Sequence, residues 1–511
     1  MHTKPSIERA TGDVASLGGG AGISPGAERL RAHTARGLAW AFGQAWGGKI
    51  LTLVTYLLLA RWLNPAEVGL ASAVMLVLSL VVMIAEGGFG DAIVQRASLR
   101  DDDMELPFVM SMGMAIALAA GLAALAGRVE SWMGVPGLAP YLRVACVFVP
   151  VGAASAFQEG LYKRRLDFRT LAVRQLVSVA VAGAVAIALA IAGAGAWSLI
   201  AQAATFMTVS ALWLWRKPVW RPRGRWVAHT FGAIARFGSH VVASRMIDWC
   251  ATRTVDLIVV ALYGAAGLGV YAIGAKLYQT ALELLCRAAT DVALSVLSRV
   301  ANDERKMAAM YLDVTGFSAM VAAPLFVLMA ALSHDITIVL FGVRWAESAN
   351  VMTSLMGLGA IQTVQFVNGA FLSARGRPNV TMWLTSVKLV LVAGVMFCLP
   401  SHDVAGLTWL YVGAVIVITP LSFGTVIAEL SVDIGRLLRQ LLPPYAVALA
   451  SAAAVSRAGA SLDGAPAVVR LALEVACFGM VYAGLMCVFF GSLARRSLSL
   501  FMALRNARRA A

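Results

Sequence analysis

Residues Lys49–Arg96 read KILTLVTYLLLARWLNPAEVGLASAVMLVLSLVVMIAEGGFGDAIVQR, and the fold follows from this stretch. Two apolar runs flank a short polar break, Arg61 to Glu67; Lys49 lies inside the first run and Glu86 ends the second. The runs lack the alternation of barrel strands, and each approaches the roughly 20 residues that carry a helix across a bilayer. They predict a transmembrane helical hairpin. The pattern returns about 200 residues later. Ala35-Arg36-Gly37 is answered by Ala235-Arg236-Phe237, Pro65-Ala66-Glu67-Val68-Gly69-Leu70 by Ala265-Ala266-Gly267-Leu268-Gly269-Val270, and Gln95-Arg96 by Ser298-Arg299. One hairpin used twice predicts a chain built around the pair.

Composition agrees. With 60% hydrophobic residues, 14% charged residues and a mean hydropathy of +0.78, the chain is neither a soluble globule nor a disordered polymer. Apolar runs predict about fourteen spans: 38–60, 68–90, 107–127, 140–158, 171–192, 195–215, 237–262, 268–291, 311–333, 350–372, 380–399, 404–428, 441–456 and 467–491. The thirteenth is short and opened by Pro443-Pro444, and the fifth and sixth divide at Gly193 to Gly195.

The net charge of +15 would suit a nucleic-acid binder, but its placement points to membrane topology instead. With both termini cytoplasmic, the cytoplasmic segments collect most of the 42 Lys and Arg, and the opposite side holds only Arg61, Arg128, Arg143, Arg344 and Arg457. Basic loops then sit beside anionic lipid, with no nucleic acid implied. The richest of them, Trp215 to Arg236, separates two lobes of six helices. An even number of crossings lies between the repeated hairpins, so the lobes share one orientation, as parallel repeats about an axis along the membrane normal.

The expected organisation is therefore an all-α polytopic membrane protein. A disordered cytoplasmic tail (1–36) precedes an N-terminal lobe (37–215), a basic inter-lobe loop (216–236) and a C-terminal lobe (237–428). Two additional helices (429–491) and a basic cytoplasmic tail (492–511) follow.

Little else invites chemistry. The six cysteines, Cys146, Cys250, Cys286, Cys398, Cys477 and Cys487, fall in apolar runs without metal-ligand or C-x-x-C spacing and read as small core or lipid-facing residues. The polar, glycine-rich first ~30 residues hold no hydrophobic stretch, so no cleaved signal peptide is expected. Gly18-Gly19-Gly20 lacks the G-K-[ST] of a phosphate loop. Asp101-Asp102-Asp103 reads as a solvated helix start, because adjacent carboxylates on a helix point apart. His240 reads as a satisfied core histidine, and Lys388 and Glu474 as isolated span charges. No catalytic constellation, cofactor motif or metal cluster is expected.

Charges inside spans carry the functional signal. An ionisable residue deep in the bilayer costs about 2.5–3.5 kcal/mol on insertion scales, so it faces a bundle interior or a wet cavity. In the eighth span Lys276, Gln279, Glu283, Arg287 and Asp291 fall within about 120° of one helix face. The seventh carries Arg245, Asp248, Thr252 and Asp256, with Arg253 flanking, and the first adds Lys49, Thr52 and Tyr56. These stripes predict a polar, partly cationic cavity where the lobes meet. The bland alternative is that Glu283–Arg287 and Arg287–Asp291 are i,i+4 pairs that neutralise each other. Lys49, Arg245, Arg253, Lys276, Gln279 and Arg287 are the candidate cavity residues. Glu283, Asp248, Asp256 and Glu86 are candidates for ion coupling; Glu86, before Gly87-Gly88-Phe89-Gly90-Asp91, equally fits a helix cap.

The run Ala60-Arg61-Trp62-Leu63-Asn64-Pro65-Ala66-Glu67-Val68-Gly69-Leu70 resembles the bacterial polysaccharide exporters, as do Glu86-Gly87-Gly88-Phe89-Gly90, Ala92-Ile93-Val94-Gln95-Arg96 and Gly342 to Ser348. These are oligosaccharide flippases of the multidrug/oligosaccharidyl-lipid/polysaccharide superfamily, and the resemblance covers most of the chain beyond residue ~35. It implies a bacterial inner-membrane transporter, not an enzyme, with a two-lobed fold and a central cavity of alternating access. The implied partners are the lipid bilayer and an undecaprenyl-diphosphate-linked oligosaccharide, with a polymerase or other export-complex proteins. Without an ATP site, transport is expected to draw on an ion gradient (H+ or Na+), the membrane potential or removal of product by polymerisation. The family's functional residues are scattered cavity charges, so only the cavity as a region carries over. Two alternatives stand beside it: a cation-coupled multidrug exporter, against which the cavity cations speak, and a membrane polymerase or glycosyltransferase, which calls for a large extracytoplasmic loop or a carboxylate-rich centre.

Overall fold

The structure, a computed structural model, describes residues 46–95, 100–224, 231–299, 303–430, 432–459 and 466–510. The described residues are helical and their connections short. The helices are α1 (Trp46–Leu59), α2 (Pro65–Glu86), α3 (Phe89–Gln95), α4 (Glu105–Met133), α5 (Leu138–Cys146), α6 (Val149–Arg164), α7 (Phe168–Ile191) and α8 (Trp197–Arg216). They continue as α9 (Phe231–Arg299), α10 (Glu304–Ala331), α11 (Ser333–Leu340), α12 (Ala346–Ala374), α13 (Pro378–Cys398), α14 (Val404–Leu430), α15 (Ile434–Gly459) and α16 (Ala467–Ala510).

Among the described residues, ten helical stretches are long and apolar enough to cross a membrane, or eleven when α5 and α6, bent by 43°, count as one. The fourteen expected spans differ from this tally for local reasons. Two of them share the stretch Ile234–Leu285, and α1, described from Trp46, is short. The thirteenth is corrected: α15 begins at Ile434 and runs through Pro443 and Pro444 rather than starting at them. Two prolines remove two intrahelical donors, a loss that membrane helices tolerate where neighbours re-satisfy the freed carbonyls.

The first hairpin turns on the motif that opened the sequence. Asn64 caps α2: its side chain accepts from the Glu67 N–H at 2.9 Å, and Glu67 accepts from the Asn64 N–H at 2.9 Å, with Pro65 at the first helical position. This reciprocal box satisfies donors that a helix start leaves open, and the cap alone is worth about 1 kcal/mol. The second hairpin turns at Gly264, whose φ of 65° and ψ of −160° suit glycine alone. Arg253 and Asp256 line the same cavity as Lys276 and Gln279. A straight helix would hold residues 253 and 276 about 35 Å apart, so α9 folds back on itself at Gly264.

The two hairpins then pack on each other through their matching glycines. A Cβ at Gly69 would lie 1.5 Å from the Ala265 carbonyl oxygen, and one at Gly269 would lie 1.9 Å from that of Pro65. Each motif thus touches its own counterpart, as in a two-fold contact. Four-residue spacing of small residues permits this backbone approach. At the other end of α2, Gly88 and Gly238 make similar contacts: Cβ atoms there would lie 2.6 Å from the Gly238 oxygen and 2.5 Å from the Gly87 oxygen.

Helices α2–α8 pack among themselves and against α9, and α10–α16 do likewise. Near the Gly69–Gly269 contact a latch joins the α1–α2 turn to the end of α11 and the segment after it. Trp345, 1% exposed, donates from Nε1 to the Ala60 carbonyl at 2.8 Å. Arg344 donates to the Leu63 carbonyl at 3.1 Å, and Arg61 donates to the Val339 carbonyl at 2.8 Å. The carbonyls at 60 and 63 lie in the turn beyond α1, where no further helical turn bonds them. On the other side, a hydrogen-bonded ladder joins α12 to α14: Ser354–Thr408 at 2.8 Å, Gln365–Thr419 at 2.5 Å and Asn368–Ser422 at 3.0 Å.

Candidate functional site: a charged cavity on the repeated hairpins

Two connected compartments of about 680 and 490 Å3 lie between α1, α2, α6, α7 and α8 on one side and α9 on the other. They share Thr52, Gln175, Phe206, Met207, Lys276 and Gln279, which makes them one space. Volumes of a few hundred to a thousand Å3 are those of ligand sites. The first compartment holds Lys49, Glu86, Glu159, Lys163, Arg174 and Glu283. The second is more neutral, with Tyr56, Ser72, Gln202 and Tyr271 beside Arg253 and Asp256.

Most of the expected residues meet here, and many are already paired. Lys49 on α1 and Glu283 on α9 form a direct ion pair, with both side chains 46% exposed. Glu283 therefore reaches across to the first hairpin. The side chains of Arg287, Asp291 and Cys286, and those of Gln95, Ser298 and Arg299, lie outside the described residues, as does the whole of 1–45. Arg245 donates to Glu86 at 3.1 Å and to Asp91 at 2.6 Å, bridging α9 to the end of α2 and to α3. These three residues line a smaller adjoining cavity of about 110 Å3. Glu86 is thus an ion-pair partner, and Gly87, in the left-handed conformation, closes the helix. Arg253 pairs with Asp256 at 3.3 Å, and Trp249 Nε1–H donates to Ser79 at 3.0 Å across the same α2–α9 seam.

Lys276 differs from the others. It stands over the Tyr56 ring, 4.8 Å from the centroid, and no carboxylate among the described residues lies within ion-pair distance of it. A cation on an aromatic face is stabilised without losing its charge. Asp248 is exposed and lines neither compartment, and Thr252 bonds only to carbonyls of its own helix. His240 is also exposed rather than in the core, and its Nδ1–H donates to the Arg236 carbonyl at 2.6 Å.

Sequence reasoning missed one cluster. Glu159 on α6 accepts from Lys163 at 2.9 Å and from Arg174 on α7 at 2.6 Å. Glu159 and Lys163 are four apart and could have been found as an i,i+4 pair. They lie at a span end, where the sequence reads as a basic cytoplasmic loop. Arg174 stands as a single charge within the fifth span, and nothing in the sequence pairs it with Glu159.

Elsewhere, the inter-lobe segment is docked rather than loose. Trp220 is buried against Phe108 and Phe157, and Glu105 accepts from the Arg223 and Gly224 amides at 2.9 and 2.8 Å; residues 225–230 lie outside the described residues. Of the Asp101–Asp103 run, Asp103 is buried and its carboxylate accepts from the Arg100 amide at 3.0 Å. It is not solvated. Among the described residues no three His, Cys, Asp or Glu are grouped to hold a metal ion.

Repeated helical hairpins around a charged cavity define a polytopic membrane protein of the lipid-flippase and multidrug-exporter architecture. The solved structure of the lipid II flippase MurJ in an inward closed conformation superposes on 89% of this chain and 100% of its own, with a TM-score of 0.71 at 12% identity. Residues 58–350 match the model of the polysaccharide biosynthesis protein family, and the chain belongs to that family. The succinoglycan biosynthesis transport protein ExoT of Rhizobium meliloti is 23% identical over 70% of this chain and 73% of its own length. The lipopolysaccharide biosynthesis protein WzxC of Escherichia coli is 20% identical over 67% and 70%.

Proposed function

We propose that this protein is a flippase that moves undecaprenyl-diphosphate-linked oligosaccharide repeat units across the bacterial inner membrane for exopolysaccharide or lipopolysaccharide synthesis. The observation that carries the reading is the cavity itself. It is a charged space of several hundred Å3, walled by both repeated hairpins, in a member of a polysaccharide biosynthesis family. Cations take phosphate oxygens strongly where water is excluded. The amide and hydroxyl groups of the second compartment suit the hydroxyls of sugars. The protein has no catalytic role in this reading.

Movement is by alternating access between two lobes, 37–215 and 237–428, with 429–491 as additional helices beside them. Both termini and the 216–236 loop face the cytoplasm. The Gly69–Gly269 contact and the Trp345 latch close the outer end. Opening the inner end separates Lys49 from Glu283 and Arg245 from Glu86 and Asp91. A coupling ion, H+ or Na+, acts on carboxylates of these pairs or on Asp256. Protonation of Glu283 releases Lys49 for the substrate, and ionised Glu283 competes with the substrate and aids release. Polymerase and other export-complex proteins take up the product.

Proteoliposomes with a fluorescent undecaprenyl-diphosphate sugar test this reading. Wild type is expected to speed the transfer between leaflets and to respond to an imposed pH gradient, whereas folded Glu283→Gln loses that response. Transfer no faster than in empty vesicles, together with efflux of a cationic dye, would replace the flippase by a drug exporter.

A further inference from the structure

We infer that the Glu159–Lys163–Arg174 cluster is the anchor for the substrate's diphosphate on the α6–α7 side of the cavity, opposite Lys276. The inference rests on the flippase reading and adds the place where the phosphates sit.

Charge accounting locates it. Lys49 is held by Glu283, Arg253 by Asp256, and Arg245 by two carboxylates, Glu86 and Asp91. These are three of the cations that the sequence pattern singles out, and all three are already compensated. Glu159, by contrast, serves two cations at once, so the cluster keeps one positive charge. Lys276 keeps another, and both line the first compartment. Among the described residues, the cavity's uncompensated positive charge therefore sits on its two opposing walls.

Arg174 carries the second observation. The residue is buried, 4% exposed, yet its Nε has no hydrogen-bond partner, and Nη2 reaches only a long contact to Gln175 at 3.4 Å. A buried guanidinium held for structure alone is normally satisfied throughout, because an unmet donor costs about 1–3 kcal/mol. A diphosphate supplies the missing acceptors. It meets Arg in the planar, two-point geometry that guanidinium favours and reaches Lys163 and Lys276 as point charges. The ligand then ties α6 and α7 to α9, and Glu159 is the group it displaces.

The sign of the Glu159 effect separates this from a structural role. The purified full-length protein is titrated with undecaprenyl diphosphate and, as comparator, undecaprenyl monophosphate. Wild type should prefer the diphosphate. Lys163→Gln, at a half-exposed position that leaves Arg174–Glu159 intact, should weaken diphosphate binding about tenfold, the worth of one charged hydrogen bond. Arg174→Lys should weaken it as well. Glu159→Gln should bind diphosphate at least as tightly as wild type, since a competitor is gone. If Lys163→Gln keeps wild-type affinity, or if folded Glu159→Gln loses it, the anchor is overturned while the flippase reading stands. If wild type binds neither lipid, both fail.

Discussion

At the scale of single residues, the cavity is a set of charge pairs that cross between helices. Lys49 and Glu283 are separated by 234 positions and meet at ion-pair distance, yet both are nearly half exposed to the cavity. Such a pair contributes little net stability, because water screens it. Its value is as a contact that can open. Exchange of the charges tests this: Lys49→Glu and Glu283→Lys are each expected to cut flipping at least severalfold, and the double exchange to recover part of it. Flipping of the exchanged double variant no better than the worse single variant would remove the direct pair from the mechanism. Lys276 belongs to a different class, since its positive charge has an aromatic face beside it and no carboxylate among the described residues within ion-pair distance.

At the scale of elements, two hairpins are held together by backbone contact. Gly69 and Gly269 leave no room for a side chain against the opposing carbonyls of Ala265 and Pro65. Gly69→Val is expected to force α2 and the second half of α9 apart, at a cost of about 2 kcal/mol of overpacking. The same substitution at Gly113, where no atom lies within 4 Å of the added carbon, is the matched control. A thermal-melting series in detergent reads both, and equal melting of the two variants would deny the contact its role. Flipping by Gly69→Val should fall more than its stability does, because the outer closure then fits imperfectly.

At the scale of the whole molecule, the arrangement depends on orientation in the membrane. Reporter fusions after Arg225, Arg377 and Ala511 are expected to report as cytoplasmic, and those near Ala266 and Asp403 as periplasmic. A periplasmic signal after Arg225 would invert one lobe relative to the other and dismiss the parallel-repeat scheme. The Trp345–Ala60 latch and the Gly69–Gly269 contact share one end of the cavity, and Arg245 with Glu86 and Asp91 marks the other. Alternation between the two ends is then a matter of which set of contacts is broken.

The sequence by itself determined the membrane class, the repeated hairpin and the face on which charge would gather. Each is a local consequence of physics. Bilayer thickness sets the length of an apolar run, and the cost of a charge in hydrocarbon forces polar residues onto shared helix faces. Lys49, Glu86, Arg253, Asp256, Lys276, Gln279 and Glu283 were legible in that way, and all line the compartments. Only the tertiary structure decided the partners. Helical spacing offered Glu283 a neighbour four residues away, and packing supplied Lys49 from another hairpin. Arg174, Glu159 and Lys163 escaped notice because two lie at a span end and the third sits alone on the next helix. Asp248 shared the right face and still missed the cavity. A helix face is a property of spacing along one chain segment, but which face meets which is set by the glycines and carbonyls that let two helices touch.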